Sequence, residues 1–129
     1  GAAGGIGFGL MSLANATLKS GVDTVLELCE YEKYLEGADL VITGEGRLDE
    51  QTKQGKLPMG VGVRAMAKNI PCVAICGYSS ISAEELKEIG IIAVYALIDI
   101  GKDVDYCIKN ADILTKKLAG VIYKDFFDK

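Results

Sequence analysis

Three short apolar runs divide the chain, and segments with helical spacing lie between them. The runs cover 39–43, 72–76 and 91–98, and they are rich in β-branched residues. Short continuous apolar runs are typical of strands that are buried on both faces of a parallel sheet. Because these runs alternate with helical segments, the pattern predicts an α/β fold with a three-layer parallel sheet, flavodoxin-like or Rossmann-like.

Apolar residues that recur every three or four positions predict the helices. The amphipathic pattern after Asp103 is the longest, and an interruption is expected near Asn110. This terminal helix is expected to cover one face of the sheet. The predicted helices span 10–18, 24–31, 32–36, 58–68, 83–88 and a segment from 103 to the end.

Several residues indicate where these helices begin and end. Gly21 is expected to stop the first helix and Asp23 to cap the second. Pro58 suits a first helical turn, and Ser82 with Glu85 has the spacing of a capping box.

The densest group of polar and charged residues follows the first apolar run. Gly44 and Gly46 predict a sharp exit from the carboxyl end of that strand, which is where open α/β sheets bind ligands. The segment supplies carboxylates for a metal or a proton and cations for anionic oxygens, a mixture that suits phosphoryl chemistry. The residues concerned are Glu45, Arg47, Asp49, Gln51, Thr52 and Lys56.

Each of these side chains also has a structural interpretation. Arg47 can clamp a carboxylate or a phosphate, or it can form a surface ion pair with Asp49 or Glu50. Asp49 can accept a proton or hold a metal, or it can cap the next helical turn, and these roles are compatible.

The other candidates leave similar alternatives. Glu45 is a candidate metal ligand or an acceptor for loop N–H groups, whereas Gln51 and Thr52 position substrate or line the loop. Lys56 can reach a phosphate or remain solvated, and its distance from Gly46 along the chain is not that of a Walker-A lysine.

Residues 1–9 include five glycines and lead into the first helix. Backbone N–H groups around Gly4 and Gly5 can bind an anion at the start of that helix. Close helix packing explains the same glycines equally well.

Composition narrows the classes of protein. The chain has 129 residues, 50% of them hydrophobic, which is enough for one packed domain. A formal charge of −4 and scattered basic residues argue against nucleic-acid and anionic-membrane partners, and there is no histidine to act as a base or ligand. No apolar run of about 18 residues is long enough for a membrane span.

The four cysteines form no CxxC pair, which favours buried, reduced thiols and a cytoplasmic location.

Two motifs resemble those of one enzyme family. Residues 44–61, Gly-Glu-Gly-Arg-Leu-Asp-Glu-Gln-Thr-Lys-Gln-Gly-Lys-Leu-Pro-Met-Gly-Val, resemble the G-E-G-R-x-D-x-Q-T-x-x-G-K-x-P-x-G-V signature of bacterial type I glycerate kinases. Residues 1–5, Gly-Ala-Ala-Gly-Gly, resemble the upstream G-A-A-G-G of that family, in the same order.

The resemblance implies ATP-dependent phosphorylation of D-glycerate to a phosphoglycerate, assisted by Mg²⁺. Members of the family are much longer, with two α/β domains and an active site between them. Residues 1–129 are therefore expected to be a single α/β domain, the C-terminal portion of such a kinase, inactive without the N-terminal part and prone to self-association. The implied roles are catalysis by Arg47 and Asp49, substrate or phosphate binding by Gly4, Gly5, Gly44, Gly46, Gln51, Thr52 and Lys56, and metal binding by Glu45 and Asp49.

Two other classes explain the sequence less well. A dinucleotide-dependent oxidoreductase would need a strand before the glycine-rich start and an acidic residue on a second strand. A non-catalytic α/β module that binds a nucleotide or a partner, such as a receiver-like domain, would need an acceptor aspartate at a strand end, whereas Asp39 lies at a strand start.

Overall fold

The computed structural model describes residues 2–128, which form three parallel strands and eight α-helices. Short 3-10 turns at Ala2–Gly5 and Glu50–Gln54 precede the first and the fourth helix. The strands are β1 (Val41–Leu48), β2 (Cys72–Ser79) and β3 (Ile91–Ala96). The helices are α1 (Ile6–Ala14), α2 (Gly21–Leu28), α3 (Tyr31–Leu35), α4 (Leu57–Ala67), α5 (Ala83–Glu88), α6 (Leu97–Ile100), α7 (Val104–Lys109) and α8 (Ala111–Phe127).

The sheet has the order β1-β2-β3, and both pairings are parallel. Val41 lies opposite Cys72, and Cys72 lies opposite Ile91. Helices connect the successive strands, as a parallel sheet requires. The predicted α/β fold with a parallel three-layer sheet is therefore confirmed.

Strand β1 is longer than the sequence predicted. The expectation of a strand over 39–43 with a sharp exit at Gly44 and Gly46 is wrong, because β1 continues to Leu48 and pairs with β2 as far as Ser79. Gly44 permits close pairing of the two strands. A Cβ atom added at Gly44 would lie 2.9 Å from the carbonyl oxygen of Ile75. Strand β2 likewise continues beyond the apolar run 72–76, as far as Ser79.

Helices α2 to α5 lie over one face of the sheet and enclose the larger core. Leu48, Cys72 and Ala74 are fully buried there, together with Ala65 of α4. Helices α6 to α8 lie over the other face, where Leu97, Cys107, Leu114 and Leu118 form a smaller core. Helix α8 thus covers one sheet face as predicted. No helix in the described part of the chain has both the length and the apolar character that a membrane crossing requires.

The second face is covered unevenly. Val73 of β2 is completely buried, whereas its neighbour in the register, Ile42 of β1, is 51% exposed. Helix α1 has no buried residue, and its Phe8 and Leu13 are 76% and 92% exposed. The described chain therefore leaves apolar surface uncovered on β1 and α1.

The first two helices differ from the prediction in their bounds. Helix α1 ends at Ala14, where Asn15 adopts a left-handed conformation with a φ of 51°. Ser20, and not Asp23, caps α2, because the Ser20 hydroxyl accepts a hydrogen bond from the Asp23 backbone N–H at 3.3 Å. Gly21 consequently begins a helix and does not end one.

The later elements agree with the sequence more closely. The Ser82–Glu85 capping box forms at the start of α5, and Pro58 lies in the first turn of α4. The helical pattern after Asp103 is interrupted at Asn110, between α7 and α8. Strand β3 ends earlier than expected, at Ala96, because the next residues form α6.

Three of the four cysteines are buried, namely Cys72, Cys76 and Cys107, whereas Cys29 is exposed. All four are free thiols. Burial raises the pKa of Cys72 and of Cys76 to about 11. The expectation of buried, reduced thiols is therefore confirmed for three cysteines and wrong for Cys29.

Candidate functional site

Four charged residues of the segment 44–56 come together at the carboxyl end of β1. Glu45 and Arg47 belong to the strand itself, Asp49 follows it directly, and Lys56 is the residue before α4. The last residues of β1 are held in place by their pairing with β2, and the 3-10 turn Glu50–Gln54 brings Lys56 back towards the strand. We call these four residues the charged cluster.

The charges in this cluster alternate. The Lys56 Nζ atom lies 3.3 Å from Glu45 Oε1 and 3.6 Å from Asp49 Oδ1. Arg47 Nε lies 3.7 Å from Asp49 Oδ2. Solvent-accessible ion pairs of this length contribute little stability. The cluster is better suited to binding an ionic ligand than to holding the fold together.

Asp49 also caps the turn that follows it. Its Oδ1 atom accepts a hydrogen bond from the Gln51 backbone N–H at 3.0 Å. Its own backbone N–H donates to Thr52 Oγ1 at 3.1 Å, which completes a capping box. The structural role foreseen for Asp49 is therefore present, and its carboxylate still contacts Arg47 and Lys56.

The other predicted binding residues are placed differently. Thr52 is completely buried and supports the Asp49 turn, whereas Gln51 is exposed beside it. Gly46 is exposed on β1. Gly4 and Gly5 lie in the 3-10 turn before α1, and in residues 2–128 α1 packs chiefly against that turn. The structure therefore brings together the predicted residues of the segment 44–56. It does not join Gly4 and Gly5 to them.

One oxygen of the cluster has the character of a metal ligand. Glu45 Oε2 is buried and has no hydrogen-bond partner, while Oε1 contacts Lys56. Within residues 2–128, no three Asp, Glu, Cys or His side chains lie close enough to form a metal site by themselves. Mg²⁺ commonly takes one or two carboxylates and fills its other positions with water and phosphate oxygens. Glu45 and Asp49 fit that pattern.

A cavity opens beside the cluster, on the side of the sheet covered by α7 and α8. Its volume is about 700 Å³. We call it the α7 cavity. Glu45, Gly46 and Arg47 form its edge on β1, and Tyr78 forms part of its edge on β2. Its apolar wall includes Ile75, Leu97, Val104, Cys107 and Ile108.

Sequence reasoning missed Tyr78 and the α7 residues of this cavity. Tyr78 lies opposite Arg47 in the sheet, and the Arg47 guanidinium carbon lies 5.9 Å from the centre of its ring. Such a cation–π contact restricts where the guanidinium can point. The available signal was the aromatic residue that follows Gly77, just after the second apolar run.

The profile of the Glycerate kinase family matches residues 1–126. This chain belongs to the glycerate kinase family. It is 39% identical to a glycerate kinase of Bacillus cereus over 125 residues, which is 94% of this chain and 33% of that protein. It is 38% identical to a glycerate kinase of Neisseria meningitidis serogroup B, covering 95% of this chain and 33% of that one.

This chain is also similar to a solved structure from Salmonella typhimurium LT2 that carries the name glycerate kinase 2. The TM-score is 0.56 and the sequence identity is 42%. The match covers 74% of this chain and 24% of that one. The chain thus spans about a third of the length of the curated glycerate kinases it matches.

Proposed function

We propose that this chain forms one wall of the active site of a type I glycerate kinase, as the C-terminal portion of the enzyme. The reaction transfers the γ-phosphoryl group of ATP to a hydroxyl of D-glycerate and yields ADP and a phosphoglycerate. The charged cluster at the carboxyl end of β1, in a chain of the glycerate kinase family, is the observation that supports this most strongly. The greater length of the relatives and the uncovered surface of β1 favour a further α/β region opposite this wall.

Arg47 and Lys56 neutralise anionic oxygens in this proposal. Arg47 is 65% exposed at its side chain, so its planar fork is free to take a carboxylate or a phosphate in two parallel hydrogen bonds. Lys56 acts as a point charge between Glu45 and Asp49 and can follow the phosphoryl group as negative charge shifts along it.

Asp49 accepts the proton of the attacking hydroxyl. The glycerate oxygen forms a bond to the γ-phosphorus, the bond from that phosphorus to the ADP oxygen breaks, and the hydroxyl proton passes to the Asp49 carboxylate. The capping hydrogen bonds of Asp49 hold the carboxylate in one orientation for that transfer.

Glu45, through its unpartnered Oε2, and Asp49 are the residues that would hold Mg²⁺. A bound Mg²⁺ neutralises charge on the phosphate oxygens in phosphoryl transfer. Gly4, Gly5, Gly44, Gly46, Gln51 and Thr52 are proposed to contribute to substrate or phosphate binding through backbone groups and loop shape. A cytoplasmic location is proposed together with this activity, in keeping with the free thiols of the core.

Steady-state kinetics on two variants of the full-length enzyme test the proposal. Arg47→Lys loses the bidentate geometry, so we expect a higher KM for the ligand that Arg47 holds, or a lower kcat. Asp49→Asn retains the capping group, because asparagine caps helical turns as well as aspartate. We therefore expect kcat to fall by about 100-fold or more while the melting temperature changes little.

Lys33→Met is the matched control, because Lys33 forms an exposed ion pair with Glu30 away from the cluster. Its kinetics should be unchanged. Near-normal kcat/KM for both cluster variants would rule out this segment as the catalytic one, and activity losses that only follow lowered melting temperatures would give the cluster a structural role.

A further inference from the structure

We propose that the α7 cavity receives the purine base of the nucleotide and that glycerate binds at the charged cluster outside it. This inference rests on the proposed kinase activity and assigns its two substrates to different parts of the site. Both regions lie at the carboxyl ends of β1 and β2, where open α/β sheets bind ligands.

The size and lining of the cavity favour the base over glycerate. A volume of about 700 Å³ is in the range of sites that enclose a ligand of nucleotide size. Glycerate is a three-carbon acid whose carboxylate and hydroxyls need polar partners, and the wall of Ile75, Leu97 and Cys107 offers none. A flat aromatic base is apolar on both faces and matches such a wall.

Two residues of α7 present apolar surface to this space. Val104 is 61% exposed and Ile108 is 70% exposed, and both line the cavity. Their neighbour Cys107 is buried in the core between α7 and the sheet. Because these three residues are three and four positions apart, they share one face of α7. That face is anchored at Cys107 and leaves Val104 and Ile108 for a ligand to cover.

Gly46 has no packing reason to be a glycine. A Cβ atom added at Gly46 would have nothing within 4 Å, and Gly46 is not among the glycines with positive φ. Gly77, opposite it, differs, because its added Cβ would lie 2.7 Å from the Gly46 carbonyl oxygen. Gly46 lines the α7 cavity. A ligand that lies against the backbone at this point explains the missing side chain.

The edge of the cavity connects the proposed base site to the charged cluster. Glu45 and Arg47 line the cavity and also belong to the charged cluster. A nucleotide whose base is in the cavity therefore extends its phosphates past Arg47 and Tyr78 towards Asp49 and Lys56. Glycerate then approaches from the far side of the cluster, with its hydroxyl facing Asp49.

The test is a pair of substitutions in the full-length enzyme. Gly46→Leu adds a side chain at the edge of the cavity, where a Cβ atom meets no protein atom within 4 Å, and Gly120→Leu is its control, because a Cβ atom at Gly120 on α8 also meets none and Gly120 does not line the cavity. For Gly46→Leu we expect a rise of about tenfold or more in the KM for ATP, weaker binding of ADP in calorimetry, and a KM for glycerate within about twofold. Gly120→Leu should leave both constants unchanged.

Ile108→Gln provides an independent variant, since Ile108 is largely exposed and its replacement leaves the core intact. It should raise the KM for ATP several-fold, and it serves in place of Gly46→Leu should that variant fail to fold.

Three results separate the possibilities. A rise in the KM for glycerate alone would overturn the inference and leave the kinase activity standing. Unchanged constants for both substrates would also overturn it, because the cavity would then be covered by polypeptide. The third result has two parts. If Gly46→Leu loses ADP binding, the cavity assignment is supported. If the unmodified enzyme at the same time phosphorylates no glycerate, the proposed function is refuted.

Discussion

At the scale of single residues, Asp49 shows how a structural cap and a reactive group occupy the same side chain. Its Oδ1 atom accepts the Gln51 N–H, and the same carboxylate contacts Lys56 and Arg47. Aspartate and asparagine cap equally well, so the capping role alone does not account for an acid at this position. The carboxylate charge is therefore the property to test in function.

Thr52 fixes the Asp49 turn from beneath, and its replacement should loosen that turn. In Thr52→Val the Asp49 backbone N–H loses its acceptor, which should cost about 1–2 kcal/mol of unfolding free energy in urea titrations. Thr52→Ser removes a methyl group and keeps the hydroxyl. Hydrogen exchange at the Asp49 amide should therefore accelerate in Thr52→Val only, and equal exchange in the two variants would contradict this.

Glu85 gives a pH dependence that can be measured. The ion pair with Lys53, followed by the hydrogen bonds from Ser82, lowers the pKa of Glu85 from 4.5 to about 2. A carboxyl with a lowered folded-state pKa stabilises the fold fully above its unfolded value, and this stabilisation is lost as the pH falls through the folded value. The contribution should thus be complete above about pH 4.5 and gone near pH 2.

Melting temperatures between pH 6 and pH 3 should show the loss of this stabilisation by Glu85. Glu85→Gln keeps the capping box, so its deficit relative to the unmodified chain should shrink as the pH falls. Glu84→Gln, the matched control, removes the same charge from the same turn without touching Lys53. A deficit for Glu85→Gln that is constant over this range would refute the ion-pair explanation.

At the scale of elements, β1 shows what local sequence does and does not determine. Glycines at 44 and 46 favour a turn when they are considered alone, and the extended conformation becomes visible only once β2, about thirty residues later, is paired with them. Capping signals act within four residues, so the Ser82 box and the Asn110 break were predictable. Ser20 was missed because Asp23, three residues on, is an equally good capping type.

The same distinction applies to the site. The signature identified Glu45, Arg47, Asp49 and Lys56, which lie close together in sequence and in the structure. Tyr78 and α7 reach the site only through the sheet register and the packing of α7 on β2. The spacing of residues within one segment of the sequence contains no information about either contact.

The turn between α5 and β3 should be the most sensitive glycine position. Gly90 has a φ of +81°, and an added Cβ would lie 2.2 Å from the carbonyl oxygen of Gly62 in α4. Gly37 has a similar φ of +77° and open space around it. We expect Gly37→Ala to cost about 1–2 kcal/mol for the left-handed backbone, and Gly90→Ala to cost a further 1–3 kcal/mol, roughly, because α4 must move. Urea unfolding of the two variants measures the difference, and equal costs would show that α4 does not constrain this turn.

At the scale of the whole molecule, the uncovered surface of α1 and β1 determines how the isolated chain behaves. Phe8 and Leu13 on α1 and Ile42 on β1 expose apolar area that a folded chain normally covers. We expect the isolated chain to self-associate as its concentration rises.

Sedimentation velocity from micromolar to millimolar concentration measures this association. The double variant Phe8→Ser and Leu13→Ser should shift the chain towards monomer. Leu28→Ser with Tyr34→Ser is the matched control, since both residues are highly exposed on α2 and α3. A strictly monomeric unmodified chain would refute the expectation.

The isolated chain should also lack kinase activity. A phosphoryl-transfer site must hold both substrates in line, and the curated relatives have about three times the length of this chain to do so. A coupled assay with glycerate and ATP should show no turnover by this chain and clear turnover by a full-length relative. A rate comparable to that relative would mean that these residues contain the whole active site.

The placement of the four cysteines allows folded and unfolded molecules to be distinguished by alkylation. Thiolate is the form that reacts with alkylating reagents, so Cys72 and Cys76 are protected both by their pKa values near 11 and by their burial. Cys29 is open to the reagent. A brief alkylation pulse therefore labels Cys29 and spares Cys72 and Cys76 in a folded molecule, whereas an unfolded one takes up to four labels, so mass spectrometry can count the two populations without any engineered tag.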